Sequence, residues 1–262
     1  MSPRAVCAGF RQQAIQFFTD PQWIIPSLIT PFMFTMVMLF LYKDQMDGPV
    51  VLQAVLGGGV LGMWANTVFA SSFSISYDRI NGTLEPILIS PSGAYSVLIG
   101  RSIWSTAIGL ANALLVFAIA ELMFGTGLSV ADPALFFLTL TLTLFSLASM
   151  GMLIATTFIL TRRGRILSSI MEYPIYVLSG AMVPITALPE GAGMISLALA
   201  PAWGVDAVKH AAIDGYSSMF GVGILEDSAM LAALSSILLA AAFLVMRRIE
   251  RKILETGSAT RY

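Results

Sequence analysis

Six long runs that contain almost no charged side chains constrain this chain more than any other feature. Four of the runs lack Asp, Glu, Lys and Arg altogether, and the other two contain one glutamate each. A helix needs roughly 20 consecutive apolar residues to cross the hydrocarbon core of a bilayer. We therefore predict an all-α polytopic membrane protein, a single transmembrane domain over residues 1–262 with six transmembrane helices. The predicted spans cover residues 23–42, 50–73, 102–124, 133–160, 166–186 and 228–246.

The composition supports this prediction. The chain is 57% hydrophobic and 11% charged, whereas soluble domains contain about 25% charged residues. A secretory signal peptide is the alternative for the first run, because charged residues precede it. That run is longer than the roughly 7–15 residues of a signal-peptide core, and no small-residue cleavage site follows it. Cys7 is the single cysteine, so no internal disulfide is expected.

The basic residues divide unevenly between the two faces of the predicted bundle. Six spans place both termini on the same face, and twelve of the 14 basic residues fall on that face. The other two are Lys43 and Lys209. Lysine and arginine accumulate on the cytosolic side of membrane proteins. We therefore predict a multi-pass protein of the plasma membrane, which is the inner membrane of a bacterium, with both termini in the cytosol.

Two further segments are predicted to be helical without simply crossing the bilayer. Residues 4–19 place aromatic and polar side chains at helical spacings, which favours an amphipathic helix along the inner leaflet over a disordered tail. Residues 188–213 are moderately apolar but are interrupted by Pro189, Pro201 and several glycines. Bent backbone at membrane depth is tolerated only where protein or water satisfies it. This second segment is therefore predicted to be a re-entrant or interfacial hairpin before the last span.

The predicted cytosolic segment 76–91, SYDRINGTLEPILISP, has more structure than a connecting turn requires. Asn81-Gly82 is a strong breaker pair. Thr83 then stands where an N-cap is expected, and Glu85 lies in the first turn of the helix that follows. These residues predict a short helix, acidic at one end and apolar at the other, that presses against a cytosolic surface. An ordinary interfacial loop is the alternative.

The same segment resembles the cytosolic loop of the ABC-2 family of ABC-transporter permeases. In that family a basic and acidic start runs into Gly-Thr-Leu-Glu, two apolar residues and Ser-Pro. The matching residues here are Asp78, Arg79, Gly82, Thr83, Leu84, Glu85, Ile87, Leu88, Ser90 and Pro91. A second resemblance covers SGAMVPITALP at 179–189 and ALAPAWGVDAVKHA at 198–211, where Lys209 stands at a position that is commonly arginine. The resemblance extends over the whole chain.

This resemblance implies the permease subunit of an ATP-driven exporter, which moves an amphipathic or hydrophobic substrate such as a drug, a lipid or a lipid-linked glycan. It implies two cytosolic ATPase subunits and a second copy of the permease or a homologue, and no nucleic acid. ATP and Mg would bind to the ATPases, and no cofactor to this chain. Segment 76–91 would be the coupling helix that docks on an ATPase. The residues assigned to that coupling are Asp78, Arg79, Gly82, Thr83 and Glu85.

Motifs for autonomous catalysis are missing from the sequence. No Gly-x-x-x-x-Gly-Lys-Ser/Thr loop is present to cradle phosphates, so the chain is not expected to hydrolyse ATP alone. With one histidine, one cysteine and no catalytic motif, neither a metal site built from those residue types nor an intramembrane enzyme is expected. Gly58 and Gly62 have the spacing of closely packed membrane helices rather than of a nucleotide-binding loop.

Ionisable side chains inside spans are costly to bury and are candidates for function. Glu172 lies well inside the fifth predicted span and shares a helical face with Tyr176, so we predict that both contribute to the substrate pathway. Asn66, Phe69 and Phe73 fall at i, i+3 and i+7 and are predicted to line the same cavity, with plain helix packing as the alternative. A self-contained channel or ion-coupled carrier is the alternative function, although such proteins ordinarily place more ionisable groups at mid-membrane.

Overall fold

The computed structural model describes residues 2–41, 48–90, 93–124, 130–159 and 173–256, and the regular structure in this part of the chain is helical. The helices are α1 (Pro3–Thr19), α2 (Pro21–Leu41), α3 (Gly48–Trp64), α4 (Ala70–Ile80), α5 (Leu84–Leu88), α6 (Ala94–Phe124), α7 (Pro133–Ile159), α8 (Glu190–Leu197), α9 (Ala200–Ala212) and α10 (Ile224–Thr256). A π-helical turn, Ala65–Phe69, joins α3 to α4 without interrupting the rod. The prediction of an all-α fold is confirmed.

Four helices in the described residues are long and apolar enough to cross a bilayer. They are Val51–Ile80, Ala94–Leu122, Pro133–Ile159 and Ile224–Ile253, and they correspond to the predicted second, third, fourth and sixth spans. A fifth crossing is present if the bent pair α8 and α9 counts as one span. The described apolar stretch of α2, Ser27–Phe40, is shorter. Residues 166–172 of the predicted span 166–186 lie outside the described residues, and the described remainder is α-helical over 173–178 alone. The chain is therefore a multi-pass membrane protein with four to five candidate spans in its described part.

Two of the spans extend further than the apolar runs that predict them. The second predicted span ends at Phe73, yet α4 continues for two more turns, and the third begins at Ser102, yet α6 already starts at Ala94. The added turns contain Asp78 and Arg101. Their charges end an apolar run in the sequence, but in the fold they pair with each other, so the helices continue through them.

The rod formed by α3, the π-turn and α4 lies at the centre of the bundle. In its most apolar stretch, 89% of the residues are buried within the protein. The corresponding stretch of α10 is 22% buried, so most of α10 is exposed. One hydrophobic core surrounds this rod at the α3 end and includes Trp64, Leu147 and Val205 from α3, α7 and α9. A second core lies at the α4 end and includes Leu98 and Phe158 from α6 and α7. The predicted coupling segment belongs to this second core.

Glycines allow two helix pairs to approach to backbone distance. A Cβ atom at Gly58 or Gly62 would lie under 3.0 Å from Thr35 or Pro31 of α2, so the close packing predicted for these glycines is confirmed. The same holds for α1 and α6, where a Cβ atom at Gly100 would lie under 3.0 Å from the backbone of α1. The helix predicted over 4–19 is therefore present and fastened along the start of α6.

The hairpin predicted at 188–213 is a pair of helices bent sharply against each other. The axes of α8 and α9 differ by 85°, and Pro201 lies in the first turn of α9, where its missing N–H leaves no hydrogen bond unmade. Twelve of the 13 residues of α9 are buried. The second arm of the hairpin is therefore an interior element that packs between α7 and α10 rather than a surface loop.

Candidate functional site

The predicted coupling segment forms a helical corner, which comprises the last turn of α4, the turn 81–83 and α5. The N–H of Asn81 donates to the carbonyl of Tyr77 at 3.0 Å, and the N–H of Thr83 donates to that of Asp78 at 2.9 Å. Between them Gly82 has φ +69. A Cβ atom there would meet nothing within 4 Å, so glycine is favoured for its backbone conformation rather than for space. The Asn81-Gly82 breaker therefore acts as the sequence predicts.

A buried ion pair fixes this helical corner to α6. Nη1 of Arg101 lies 2.5 Å from Oδ2 of Asp78, and Nη2 donates to Oδ1 at 3.1 Å. Each side chain is 2% exposed. Two parallel bonds between a guanidinium and a carboxylate hold both groups in one orientation. The last turn of α4 therefore cannot turn about its axis without breaking the pair.

Two more segments bind to the same ion pair. The hydroxyl of Thr83 donates to Oδ1 of Asp78 at 3.0 Å, and Nη2 of Arg101 donates to Oε1 of Gln12 at 2.9 Å. Gln12 belongs to α1, and Thr83 immediately precedes α5. We call Gln12, Asp78, Thr83 and Arg101 the arginine network. It joins α1, α4, the start of α5 and α6 through polar side chains.

Arg79 ties the helical corner to α7 as well. Its Nη2 donates to the carbonyl oxygens of Phe158 and Ile159, at 3.2 and 2.8 Å. Ile159 is the last described residue of α7. Arg79 thus holds this part of α7 against α4.

The short helix α5 has one anchored face and one free face. Leu84 and Leu88 are 8% and 6% exposed and pack into the second hydrophobic core. Glu85 is exposed, while Ile80 before the turn and Ile89 after α5 are 78% and 60% exposed. We call Ile80, Glu85 and Ile89 the corner surface. Exposed apolar side chains that cluster beside polar ones mark sites of contact with a protein or a membrane.

The structure gathers the five predicted coupling residues at one corner but divides them by direction. Asp78 and Arg79 turn inward to α6 and α7, whereas Gly82 and Glu85 face outward. Thr83 occupies the N-cap position of α5 as predicted but makes no capping hydrogen bond. Its hydroxyl donates to Asp78 instead, and its backbone is already helical with φ −88 and ψ −12.

Three residues of this site are not predicted from the sequence. Arg101 and Gln12 complete the arginine network, and Oε1 of Glu250 accepts the N–H of Ala94, the first residue of α6, at 3.0 Å. The one signal for Arg101 in the sequence is its position as a charged residue directly before an apolar run. Its partner lies 23 positions away in the chain, and sequence spacing alone does not identify such a partner.

The predicted pathway residues are buried, are half-buried or lie outside the described residues. Asn66 is 7% exposed, and its Nδ2 donates to the carbonyl of Gly62 at 3.0 Å. Tyr176 is 1% exposed and packs edge-on against Phe34, with ring centroids 5.2 Å apart. Phe73 is half-buried. The side chain of Phe69 and the whole of Glu172 lie outside the described residues.

A second polar cluster fixes the bent pair at the opposite end of the bundle. Nζ of Lys209 donates to the carbonyl of Gly180 at 2.9 Å, and Asp206 accepts the hydroxyl of Ser218 at 2.6 Å and the N–H of Met219 at 3.0 Å. Lys209 and Asp206 are 3% and 0% exposed. The charged groups of α9 therefore pin the segments on either side of it. His210 adds a 3.3 Å contact with Asp227 of α10.

Comparisons with known proteins match the sequence of this chain to a family of transporters. The family model for the ABC-2 type transporter matches residues 4–212. The proteins described as "Probable multidrug ABC transporter permease YbhR" in Escherichia coli strain K12 and in Escherichia coli O157:H7 are each 26% identical to this chain over 122 residues. The matched stretch covers 47% of this chain and 33% of each relative. The matched part thus spans about a third of the length of these relatives.

Proposed function

Because this chain belongs to the ABC-2 type transporter family, we propose that it is the membrane-spanning permease subunit of an ATP-driven exporter. Two separate cytosolic ATPase subunits bind and hydrolyse ATP with Mg, and a second permease, identical or homologous, completes the complex. The chain itself binds no cofactor. The substrate is amphipathic or hydrophobic, a drug, a lipid or a lipid-linked glycan. The description of the two relatives as multidrug permeases supports this substrate class.

The observation that carries the proposal is the helical corner, which is rigid on one side and exposed on the other. Leu84 and Leu88 anchor α5 in the second hydrophobic core, while Ile80, Glu85 and Ile89 form the free corner surface. A docking element must offer an exposed surface, and it must not yield when the partner moves. The corner combines the two properties within a few residues, which supports its assignment as the coupling helix.

The contacts of the helical corner support a route for the motion. The Asp78–Arg101 pair connects it to α6, and Arg79 connects it to α7. Glu250 connects the start of α6 to α10. A displacement imposed on the corner surface by an ATPase therefore acts on the span that contains α4 and, through these contacts, on α6, α7 and α10. Rigid helices then carry the motion across the bilayer to the substrate pathway, which in this proposal includes Glu172 and Tyr176.

The proposed topology has six spans in a single transmembrane domain, with both termini and the helical corner in the cytosol. It is supported by the excess of basic residues on that face of the chain. It places the bent pair of α8 and α9 at the outer side, where it closes the pathway.

Cysteine labelling tests this topology. In a background with Cys7→Ser, an impermeant thiol reagent should label Asp214→Cys in intact cells. It should label Asn81→Cys only after the membrane is opened.

Co-purification tests the central claim. The chain is purified from its native membrane as the native protein, as Glu85→Arg, and as Asp214→Arg. Glu85 and Asp214 are both exposed acidic residues, but only Glu85 belongs to the corner surface, so Asp214→Arg makes the same charge change elsewhere. Co-purifying proteins are then identified by mass spectrometry, and their ATPase activity is measured.

We expect an ATPase subunit to accompany the native chain and the Asp214→Arg control and to be lost or uncoupled in Glu85→Arg. If the chain purifies alone, or if Glu85→Arg retains full ATPase binding and stimulation, the helical corner is not a docking element. A self-contained channel or carrier would then be the better description.

A further inference from the structure

An apolar cavity lies between α3, α6, α7 and α9, away from the helical corner. Its volume is about 320 Å³, and Val60 and Met63 of α3, Phe117 of α6 and Phe136 of α7 contribute to its wall. Every side chain in that wall is apolar, and Gly59 is the wall residue without a side chain. The cavity is therefore a hydrocarbon-like space inside a helical bundle.

This lining excludes water as a stable occupant. A buried water needs two to four polar partners, and an engineered apolar cavity of about 150 Å³ stays dry and binds benzene. The cavity here is about 320 Å³, which falls in the range of roughly 300–1,000 Å³ that holds small-molecule ligands. An empty space of this size forfeits dispersion contacts along its whole wall. An apolar occupant would restore them.

The cavity also opens toward an exposed apolar surface of the bundle. Leu114 of α6 and Phe137 of α7 are part of its wall, and they are 42% and 56% exposed. Both lie in helices that are long and apolar enough to cross a bilayer. An exposed apolar surface on such helices is suited to contact with hydrocarbon chains. Deeper in the wall, Val60 and Met63 are 4% and 0% exposed.

We propose that this cavity is a binding site for a single alkyl chain, which enters from the bilayer between α6 and α7. The chain comes either from a membrane phospholipid or from an amphipathic molecule that the protein transports. The proposal needs the protein to lie in a membrane, and it does not depend on an ATPase partner. The cavity is separate from the predicted pathway residues Asn66 and Tyr176, which do not contribute to its wall.

Gly59 provides a variant that fills the cavity with little strain elsewhere. A Cβ atom at Gly59 would lie 3.9 Å from Cβ of Ala113, an ordinary contact. Both residues line the cavity, so a leucine side chain at Gly59 is expected to occupy part of the space. Gly59→Leu should therefore fold and displace the alkyl chain. Ala113→Leu fills the same space from α6 and serves as the second variant. Ala118→Leu, at an exposed position of α6, is the matched control outside the cavity.

Photolabelling tests the site directly. The protein is placed in phospholipid nanodiscs that contain a phospholipid with a diazirine in one acyl chain, and labelled residues are mapped by mass spectrometry. Leu114 and Phe137 are exposed at the edge of the cavity, so they are expected to take up label in every variant and serve as the internal reference. We expect label on Val60 or Met63 in the native chain and in Ala118→Leu, with loss of most of that label in Gly59→Leu and Ala113→Leu.

The proposal is overturned if Val60 and Met63 remain unlabelled while Leu114 and Phe137 are labelled, or if the filled variants keep the native label. A competition arm identifies the source of the chain. Displacement of the label by an excess of an octyl quaternary ammonium compound indicates a site shared with transported amphiphiles. Label that persists in its presence indicates a resident phospholipid. Both results support an alkyl-chain site.

Discussion

The buried pair of Asp78 and Arg101 gives the sharpest prediction about stability. Replacing Asp78 by leucine leaves the Arg101 guanidinium 2% exposed without its carboxylate, and breaking a buried pair in this way costs about 3–5 kcal/mol. Since each 1.4 kcal/mol is a factor of about ten, the ratio of folded to unfolded protein should fall by two to nearly four powers of ten. Thr83 keeps an acceptor, because its hydroxyl also lies 3.3 Å from the backbone carbonyl of Asp78.

A double-mutant cycle separates the pair from its surroundings. Asp78→Leu, Arg101→Met and the double variant are unfolded by denaturant in mixed micelles, and their free energies of unfolding are compared. Replacing both members of a buried pair by apolar residues is often nearly neutral, so the double variant should be more stable than either single variant. Asp214→Asn, at an exposed position, should stay within about 0.5 kcal/mol of the native protein.

Two results would refute this reasoning. One is an Asp78→Leu variant that loses less than about 1 kcal/mol, which is the ordinary effect of a point mutation rather than of an uncompensated buried charge. The other is a double variant whose loss equals the sum of the two single losses, which would mean that the two side chains do not interact.

Substitutions at three other positions have expected outcomes. Gly100→Val should push α1 away from α6, because even a Cβ atom there would lie under 3.0 Å from the backbone of Val6; limited proteolysis should then cut α1 faster than in the native chain. Gly82→Ala should destabilise the corner by about 1–2 kcal/mol, since φ +69 disfavours a side chain, and Gly82→Asn should lose less in the same thermal unfolding assay. Lys209→Met should leave the carbonyl of Gly180 unpaired, a loss of about 1–3 kcal/mol for a buried group, visible as faster amide exchange at 179–183.

The positions of the spans follow from the sequence because hydrophobic length is a local property. The apolar runs at 133–160 and 228–246 correspond to α7 and α10. The ends of the helices are predicted less accurately from the sequence. The helix α10 continues through Arg247, Arg248 and Glu250 to Thr256, because charged residues end a membrane span but favour a helix that extends into water. The π-turn at Ala65–Phe69 leaves no recognisable signal in the sequence.

The location of the candidate site in the chain can be predicted from the sequence, but the orientation of its side chains cannot. Asn81-Gly82 predicts the turn, and the family resemblance identifies the segment around it. Asp78 faces inward, unlike Glu85, because its partner Arg101 lies on a different helix. Such a pairing is a property of tertiary packing, and a single sequence without its fold contains no rule that selects one partner from the other basic residues of the chain.

The arginine network also has a consequence for inheritance and for engineering. Arg101 is held by side chains from three other segments of the chain, Gln12, Asp78 and, through Asp78, Thr83. We therefore expect a change at any one of these positions to alter the effect of changes at the others, although Gln12, the segment 78–83 and Arg101 are separated in the sequence. Chimeric permeases should therefore exchange α1, the helical corner and the start of α6 together. A hybrid that joins α1 of one homologue to α6 of another would inherit an arginine without its matched partners.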